Sequence, residues 1–583
     1  MATIVARRRG TETYYYYHVA QRVKVSPSDQ GGKGRGSGPS KVVTKDIYLG
    51  SADTILRRLQ DGPLEVRHRS FGVEMAALSV IREIGLIEAI DSVVTKRNQG
   101  MSIGNYIALG ILGKLASPNA SWHTFADWLS HTALPDHYNL PHNLLDGQNF
   151  WDAFDKILPE SVFRKRVAQN PEALMDDEMV LRIEEAVWKQ ILERYKISIN
   201  TILYDSTNFF TFIAPENPAQ LPKNGHNKAG RHERRQVSLA LAMLRDYGLP
   251  LLHITYAGNV NDPTLFPDFL TRLVRRVAAV AKEAEHLLLV FDRGQNSKTN
   301  IQKVRSLKVH AVGGLSWKQH KDLLDIPLEC FRNANDPNLI LWEQERIVWE
   351  LPVKVVITFN PALERKHRRT LARLLRILRA RLKETYAKHR QDPPEVLAEA
   401  LEKVSSRSRA CRYVRWWVDR KKDRLHIRPS ADLEFQVKQC GKRLLFSTDT
   451  QKTGNQIIRL YNKDKAQLEQ GFHHLKSPDL IRFQPLRVWT DTKIRIYALI
   501  CVLALLVLRI MEMKAMPVGL STEAMFTELA DIREVIMVYS PHQAQRKVTA
   551  LSSIQQKLFH IFGLDAFAKT ATGSGLGLLP LHH

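Results

Sequence analysis

HLLLVFDRG, residues 286–294, is a compact apolar run that ends on an acid, Asp292. Residues 198–207, SINTILYDST, repeat the form with Asp205. Short apolar runs of this length read as buried strands. An acid at the end of such a strand points into the crevice where open α/β sheets bind their ligands. Between the two runs, RRQVSLALAMLRDYGLPLLHITYAG (234–258) reads as a strand, a turn at 246–248 and a second strand, and 271–285 reads as a helix. Strands alternating with helices give an α/β core.

Outward from that core the pattern changes. ETYYYYHVAQRVK (12–24) and KVVTKDIYLG (41–50) are strand-like, and the Gly/Ser/Pro stretch 26–40 between them reads as a loop. Residues 52–195 look largely helical, with amphipathic spacing in VEMAALSVIREIGLIEAIDSVV and SIGNYIALGILGKLA. A helix-turn-helix DNA reader and a plain helical bundle both fit that pattern. LILWEQERIVWELPVKVVITF (339–359) is strand-rich, and 364–390 is a long basic helix. Its apolar line runs Leu371, Leu375, Leu378, Leu382, with Arg373, Arg376, Arg379 and Arg381 on other faces. RLLFSTD (443–449) restores a strand, and YNKDKAQLEQGFHHLKS (461–477) follows as a helix.

The chain has 583 residues, enough for several domains. Its net charge of +25 favours a polyanionic partner, nucleic acid above all. A merely basic soluble protein is the alternative. The four cysteines, Cys330, Cys411, Cys440 and Cys501, have no CxxC spacing, which argues for reduced, mostly buried thiols of a cytosolic protein. The start, MATIVARRRGTETYYYY, lacks the apolar core of a signal peptide. The apolar run 496–508 has 13 residues, short of the roughly 20 that span a bilayer, and reads as a buried core helix.

Two strand-end aspartates and Glu469 on the 461–477 helix form a set of hard anionic ligands. Such a set suits a pair of magnesium ions for phosphoryl transfer. Either strand-end aspartate taken alone reads better as a turn or cap residue; the combination of three in a strongly basic chain is what points to a site. His473 and His474 read as surface or packing residues, because magnesium favours oxygen ligands.

At these residues the chain resembles the DDE transposases of bacterial insertion sequences. It is most similar to the subgroup with a Tyr-x2-Arg-x3-Glu-x6-Lys signature and a strand-rich insertion before the glutamate. Glu469, QGFHHL and Lys476 match the second half of the signature. In the first half Lys465 stands at the arginine position and Asn462 at the tyrosine position. Tyr461 is one residue early, which on a regular helix displaces it from the expected face. Lys465, Glu469, Phe472 and Lys476 share roughly one face by spacing. LYDST, AGNVND, FDRGQNS and IRFQPLRVWTDTKIRIYALICVLALLVL are similar to further family segments, with Lys228, Arg231 and Gln236 at matching positions.

The resemblance implies a ribonuclease-H-like core at 196–315 and 441–515, interrupted by a β-rich and α-helical insertion at 316–440. Before it come a strand-rich arm at 1–60 and a helical, end-binding domain at 61–195; a helical region at 516–583 follows. Asp205, Asp292 and Glu469 would be catalytic and hold two Mg2+, with Mn2+ as substitute. Lys465, Lys476, Tyr461, Lys228 and Arg231 would contact DNA. Trp342, Trp349, Trp416 and Trp417 are candidates for stacking on an extruded base during hairpin formation, although most tryptophans are core residues. The implied partners are double-stranded DNA with terminal inverted repeats, target DNA and a second copy in the DNA complex, with a cytoplasmic, nucleoid-associated location. A metal-dependent nuclease of the same fold and a non-catalytic basic DNA-binding protein are the rival readings.

Overall fold

The structure, a computed structural model, describes residues 2–24, 40–60, 63, 65–96, 100–120, 124–138, 147–170, 177–225, 233–281, 286–540 and 543–570. The expected loop at 26–40 lies, but for Ser40, outside the described residues, as do Lys228 and Arg231 and the side chain of Lys465. The chain divides into two compact units: 1–76, 127–140 and 515–583 form one, and 77–126 with 141–514 the other.

The first unit holds two three-stranded antiparallel sheets. In one, β1 (Ala2–Arg9), β2 (Glu12–Lys24) and β3 (Ser40–Ser51) pair in sequence order. In the other, β4 (Glu65–Ser70) takes the edge beside the later hairpin β16 (Arg533–Ser540) and β17 (Gln543–Val548). Arg69 and Glu534 link β4 to β16, and Asp136 joins both Arg69 and Arg546. The expectation of a helical 516–583 region is corrected by this hairpin. REVIMVYS is β-branched and apolar enough to be a strand, but its partner β4 lies far away in sequence, so local pattern gave no cue.

The second unit is built on a nine-stranded sheet. Its strands are β5 (Thr201–Phe210), β6 (Gln236–Leu244), β7 (Pro250–Ala257), β8 (Leu288–Phe291), β9 (His310–Gly314), β10 (Arg332–Asn333), β11 (Ile340–Val348), β12 (Leu351–Phe359) and β15 (Lys442–Ser447). The order across the sheet is β10-β11-β12-β15-β9-β8-β5-β6-β7. β5, β8 and β9 are parallel; the other pairings are antiparallel. Every residue of β6, β7 and β8 is buried, as expected of strands covered on both faces. The turn between β6 and β7 places Tyr247 and Gly248 at positive φ, a conformation glycine adopts without steric cost.

Helix Asp262–Val280 carries the chain from β7 back to β8. Leu265, Phe266, Phe269, Leu270, Leu273 and Val277 form its buried stripe at three-to-four spacing. Phe269 and Phe266 pack on Tyr204 of β5, with ring centroids 4.5 and 5.3 Å away. Helix Asp491–Ala515 is buried all round along Ile496–Leu508, as expected of the apolar run. It is long and apolar enough to cross a membrane, but its apolar window is fully buried inside the protein. Arg495 and Arg509 flank the run and are buried too: Arg495 donates to the Thr255 carbonyl at 3.1 Å, and Arg509 to Glu512 at 2.7 Å.

Two expected boundaries move. The helices of 77–126 and 147–195 belong with the sheet rather than to a body apart. Lys114 donates to Tyr497 at 2.7 Å, Trp188 to the Pro250 carbonyl at 2.9 Å, and Glu184 meets His253 at 2.5 Å, all buried. Helical periodicity reveals an apolar face but not what covers it. The stretch expected to open the insertion supplies β10, β11 and β12 to the main sheet. The part outside the sheet is therefore 361–440: helices Pro361–His389, Pro394–Ser406 and Ala431–Gln439 with the hairpin β13 (Val414–Asp419) and β14 (Arg424–Pro429). Leu371, Leu378 and Leu382 of the long helix pack with Leu397, Leu401, Tyr413 and Val414, while Arg373, Arg376, Arg379 and Arg381 are exposed. Of the thiols, Cys440 and Cys501 are buried, Cys411 is half-buried and Cys330 is exposed.

Candidate active site

β5 and β8 pair directly, in register from Thr201 opposite Leu288 to Tyr204 opposite Phe291. One step further come Asp205, still on β5, and Asp292, just past the end of β8; paired strands lie about 4.8 Å apart. The expectation that Asp205 ends its strand is corrected, since β5 runs on to Phe210. Thr207, Phe209 and Phe210 carry β5 on, opposite Leu239, Val237 and Gln236 of β6. The half-buried Asp205 carboxylate accepts from the Ser206 N–H at 2.8 Å. Asp292 follows β8 and caps the short turn Arg293–Gln295, accepting from the Arg293 N–H at 2.8 Å.

The segment carrying Tyr461 and Glu469 is not one regular helix. Gly454–Arg459 is α-helical, Leu460–Asp464 is a π-helical turn, and Lys465–Lys476 is α-helical again. A π-turn closes its hydrogen bond five residues along instead of four, so it accommodates one extra residue. That corrects the expectation that Tyr461, one residue early, is displaced from the site. Its hydroxyl donates to Asp292 Oδ1 at 2.9 Å. Burial, and then the nearby Asp292 charge, push the Tyr461 phenol well above its ordinary range. Gly314 leaves the space: a Cβ there would lie 3.1 Å from the Tyr461 oxygen. Asn462, at the family's tyrosine position, accepts from Arg443 at 3.0 Å.

Asp292, Tyr461 and Glu469 line one cavity of about 700 Å3. Arg293, Lys442, Arg443 and His367 line it too, with Trp317, Gln436 and Gln439. Partial burial lowers the Lys442 pKa from its ordinary value. Anionic and cationic side chains thus share one open polar cleft. Such a cleft suits a phosphodiester, with guanidinium and ammonium groups for its oxygens and carboxylates of the kind that ligate a hard cation. The three cations next to the acids were missed from sequence, although Arg293 directly follows Asp292 in FDRG and is the signal that could have found it. Lys442 and Arg443 open strand β15 ahead of its apolar residues and carry no local signal of their own.

The presumed common face of Lys465, Glu469, Phe472 and Lys476 divides. Glu469 is exposed, Phe472 is buried, and Lys476 is half-buried, with Nζ 2.5 Å from Thr207 Oγ1 and 5.5 Å from the Phe209 ring centroid. Phe472 must face inward because Lys465–Lys476 packs on β5. Thr207 is two residues from Asp205, so Lys476 reaches the same side of β5. His474 is buried 3.8 Å from Glu512, and His473 is exposed; neither joins the cavity. Gln236 is buried and donates to the Gly258 carbonyl at 2.7 Å.

The donor chemistry fits magnesium, since the acids supply hard carboxylate oxygens. The closure is incomplete. Asp205 is not among the residues lining the cavity, and among the described residues no three His, Cys, Asp or Glu gather as one ion-holding group.

Of the tryptophans, Trp349 packs edge-on against Phe446 at 5.2 Å, and Trp416 packs against the cluster around Leu378. Trp342 on β11 is half-buried. Trp417 is 43% exposed and stacked on His426 at 5.0 Å.

Residues 198–507 match the family described as Transposase DDE domain. The chain belongs to this family. The matched span of this transposase begins just before β5 and ends in the buried helix Asp491–Ala515, and it contains all three candidate acids. A solved structure similar to the chain is a piggyBac transposase synaptic complex with hairpin DNA, at 10% identity, covering 88% of this chain and 89% of that one, with a TM-score of 0.37. No curated protein matches.

Proposed function

We propose that this transposase moves an insertion sequence of the Tyr-Arg-Glu-Lys subgroup by cut-and-paste, cleaving and rejoining DNA at terminal inverted repeats with Asp205, Asp292 and Glu469. The observation that carries the reading is the direct parallel pairing of β5 and β8, which sets two of the acids side by side, with the third lining the cavity of Asp292. A ribonuclease-H-like core is the reading that this pairing and the alternation of strands and helices support.

Asp205 and Asp292 would hold magnesium, or manganese in its place, and Glu469 would complete the set from the helix. Two such ions, when bound, activate the attacking oxygen and neutralise the leaving one. Arg293, Lys442 and Arg443 seat the phosphate being attacked. Tyr461 orients Asp292 through its 2.9 Å hydrogen bond to Oδ1. Lys476, beside Thr207, supplies positive charge to the DNA strand that runs past β5. Hairpin formation, with Trp417 the most exposed of the four candidate tryptophans, and a pair of copies bridging two transposon ends at the nucleoid complete the proposal.

The test is a gel shift beside a cleavage assay on one DNA bearing inverted repeats, with magnesium, with manganese and with chelator. Metal-dependent cleavage followed by joining to a target plasmid supports the transposase. Cleavage without joining supports a nuclease of the same fold. Binding without cleavage in either metal refutes the catalytic reading.

A further inference from the structure

The sheet β1-β2-β3 carries exposed aromatics on both faces, Tyr17 on one and Tyr48 on the other, but among the described residues its acids fall on one face only. Side chains alternate along a strand, so the register Ile4 opposite Tyr17 opposite Ile47 sets these three in a row on one face. They are 66, 38 and 45% exposed. Arg8, opposite Thr13, and Lys45, opposite Val19, fall on the same face and are exposed. Tyr15 falls there as well.

The acids Glu12 and Asp46 alternate onto the other face. There Asp46 takes a hydrogen bond from Arg7 at 2.5 Å and lies 2.6 Å from His18 Nδ1, Glu12 accepts from Tyr14, and Arg7 sits 4.8 Å from the Tyr16 ring centroid. On that face both acids are thus paired within the sheet. The other presents isoleucine and tyrosine rimmed by cations and, among the described residues, no acid.

An exposed apolar row of this kind marks a binding surface. The rim decides the partner. A second copy docked face to face would bring Arg8 and Lys45 against their own kind, whereas a polyanion with flat apolar groups satisfies both parts of the surface. Residues 1–51 hold nine Lys or Arg against three Asp or Glu, which agrees with that sign. Spacing narrows the choice further. Tyr15 and Tyr17 stand about 6.8 Å apart along the strand. That is about twice the 3.4 Å step of one strand in duplex DNA, so each ring takes a base only from a strand drawn out of duplex stacking.

We propose that this face binds unpaired DNA, with bases on Tyr15 and Tyr17 beside Ile4 and Ile47, and phosphates on Arg8 and Lys45. The choice of DNA rests on the transposase reading; the surface itself is independent of the carboxylate site.

The test uses the full chain, chelator to prevent cleavage, and a short fluorescent oligonucleotide of mixed sequence, single-stranded or annealed to its complement. Anisotropy is read against salt. Tyr17→Ala should weaken single-strand binding roughly five- to a hundredfold, as loss of one stacked base does, while Tyr17→Phe stays within about twofold of the parent. The pair Arg8→Glu and Lys45→Glu should flatten the single-strand salt slope by roughly 1.4, about 0.7 for each lost phosphate. Duplex binding should change less than single-strand binding in every variant.

Unchanged single-strand affinity and slope in the Tyr17→Ala and charge-reversal variants would overturn the proposal, as would equal losses on duplex. A dimer that Ile4→Asp converts to monomer in sedimentation would assign the face to a second copy instead. Should Tyr17→Ala lose its fold by circular dichroism, the surface charge variants still decide. Cleavage by the parent in magnesium is scored separately, so failure here leaves the catalytic reading standing, and failure there leaves this one.

Discussion

Tyr461 donates its phenol hydrogen to Asp292 Oδ1 at 2.9 Å, joining a π-helical turn to the end of β8. One side chain therefore fixes the orientation of a candidate metal ligand. Tyr461→Phe should keep end binding within about twofold and lower cleavage roughly 10- to 100-fold, the range for losing an outer partner of a metal ligand. Cleavage and gel shift on the same DNA check this.

The same hydrogen bond sets a pH dependence. The folded-state pKa of Tyr461 lies above the ordinary 10.0, with burial the first cause and Asp292 the second. The contribution to stability is therefore complete below about pH 10 and is lost as pH rises through the raised value. In an ultraviolet titration, the difference between parent and Tyr461→Phe should show no phenolate signal until above pH 10. A signal beginning below pH 10 would contradict the buried hydrogen bond.

Gly314→Ala should push on the Tyr461 hydroxyl, 3.1 Å from the added methyl. Overpacking of this kind costs on the order of 1 kcal/mol or more. The double variant Gly314→Ala, Tyr461→Phe should recover part of that loss, because the clashing oxygen is gone. Thermal unfolding of the four proteins in the cycle measures the coupling.

Asp205→Asn, Asp292→Asn and Glu469→Gln each remove a negative charge and a hard ligand. Each should bind ends at least as well as the parent, since the surface becomes more positive. Cleavage should fall by more than the roughly 10- to 100-fold expected for an outer partner. Retained magnesium-dependent cleavage in Glu469→Gln would take that residue out of the site.

Lys476→Ala should flatten the salt dependence of duplex binding by roughly 0.9, one phosphate contact. An unchanged slope would leave Lys476 as a tether to Thr207 only.

A truncation removing residues 1–195 is a poor test of end recognition. It would strip Lys114, Glu184 and Trp188 from their buried partners Tyr497, His253 and Pro250. Surface substitutions on the exposed helix faces avoid exposing that core.

The sequence by itself determined the parts whose signals are local. The apolar runs of β5, β6, β7 and β8, the buried helix through Ile496–Leu508, and the leucine line of Pro361–His389 follow from side-chain periodicity and run length. Asp205 and Asp292 stood out because each follows such a run, and Glu469 because its spacing to Lys476 matches the family signature. Tertiary structure decided whatever depends on partners distant in the chain. It continued β5 past Asp205, because β6 offers strand partners as far as Gln236. It added β10, β11 and β12 to the main sheet, and β4 to a hairpin hundreds of residues later. It brought Arg293, Lys442 and Arg443 to one cavity from either side of the 361–440 segment. It also turned the one-residue offset of Tyr461 into a contact, because a π-turn changes which face a side chain meets. Periodicity records that a residue has a buried or exposed side, whereas the identity of the neighbour on that side is fixed only when the chain closes on itself.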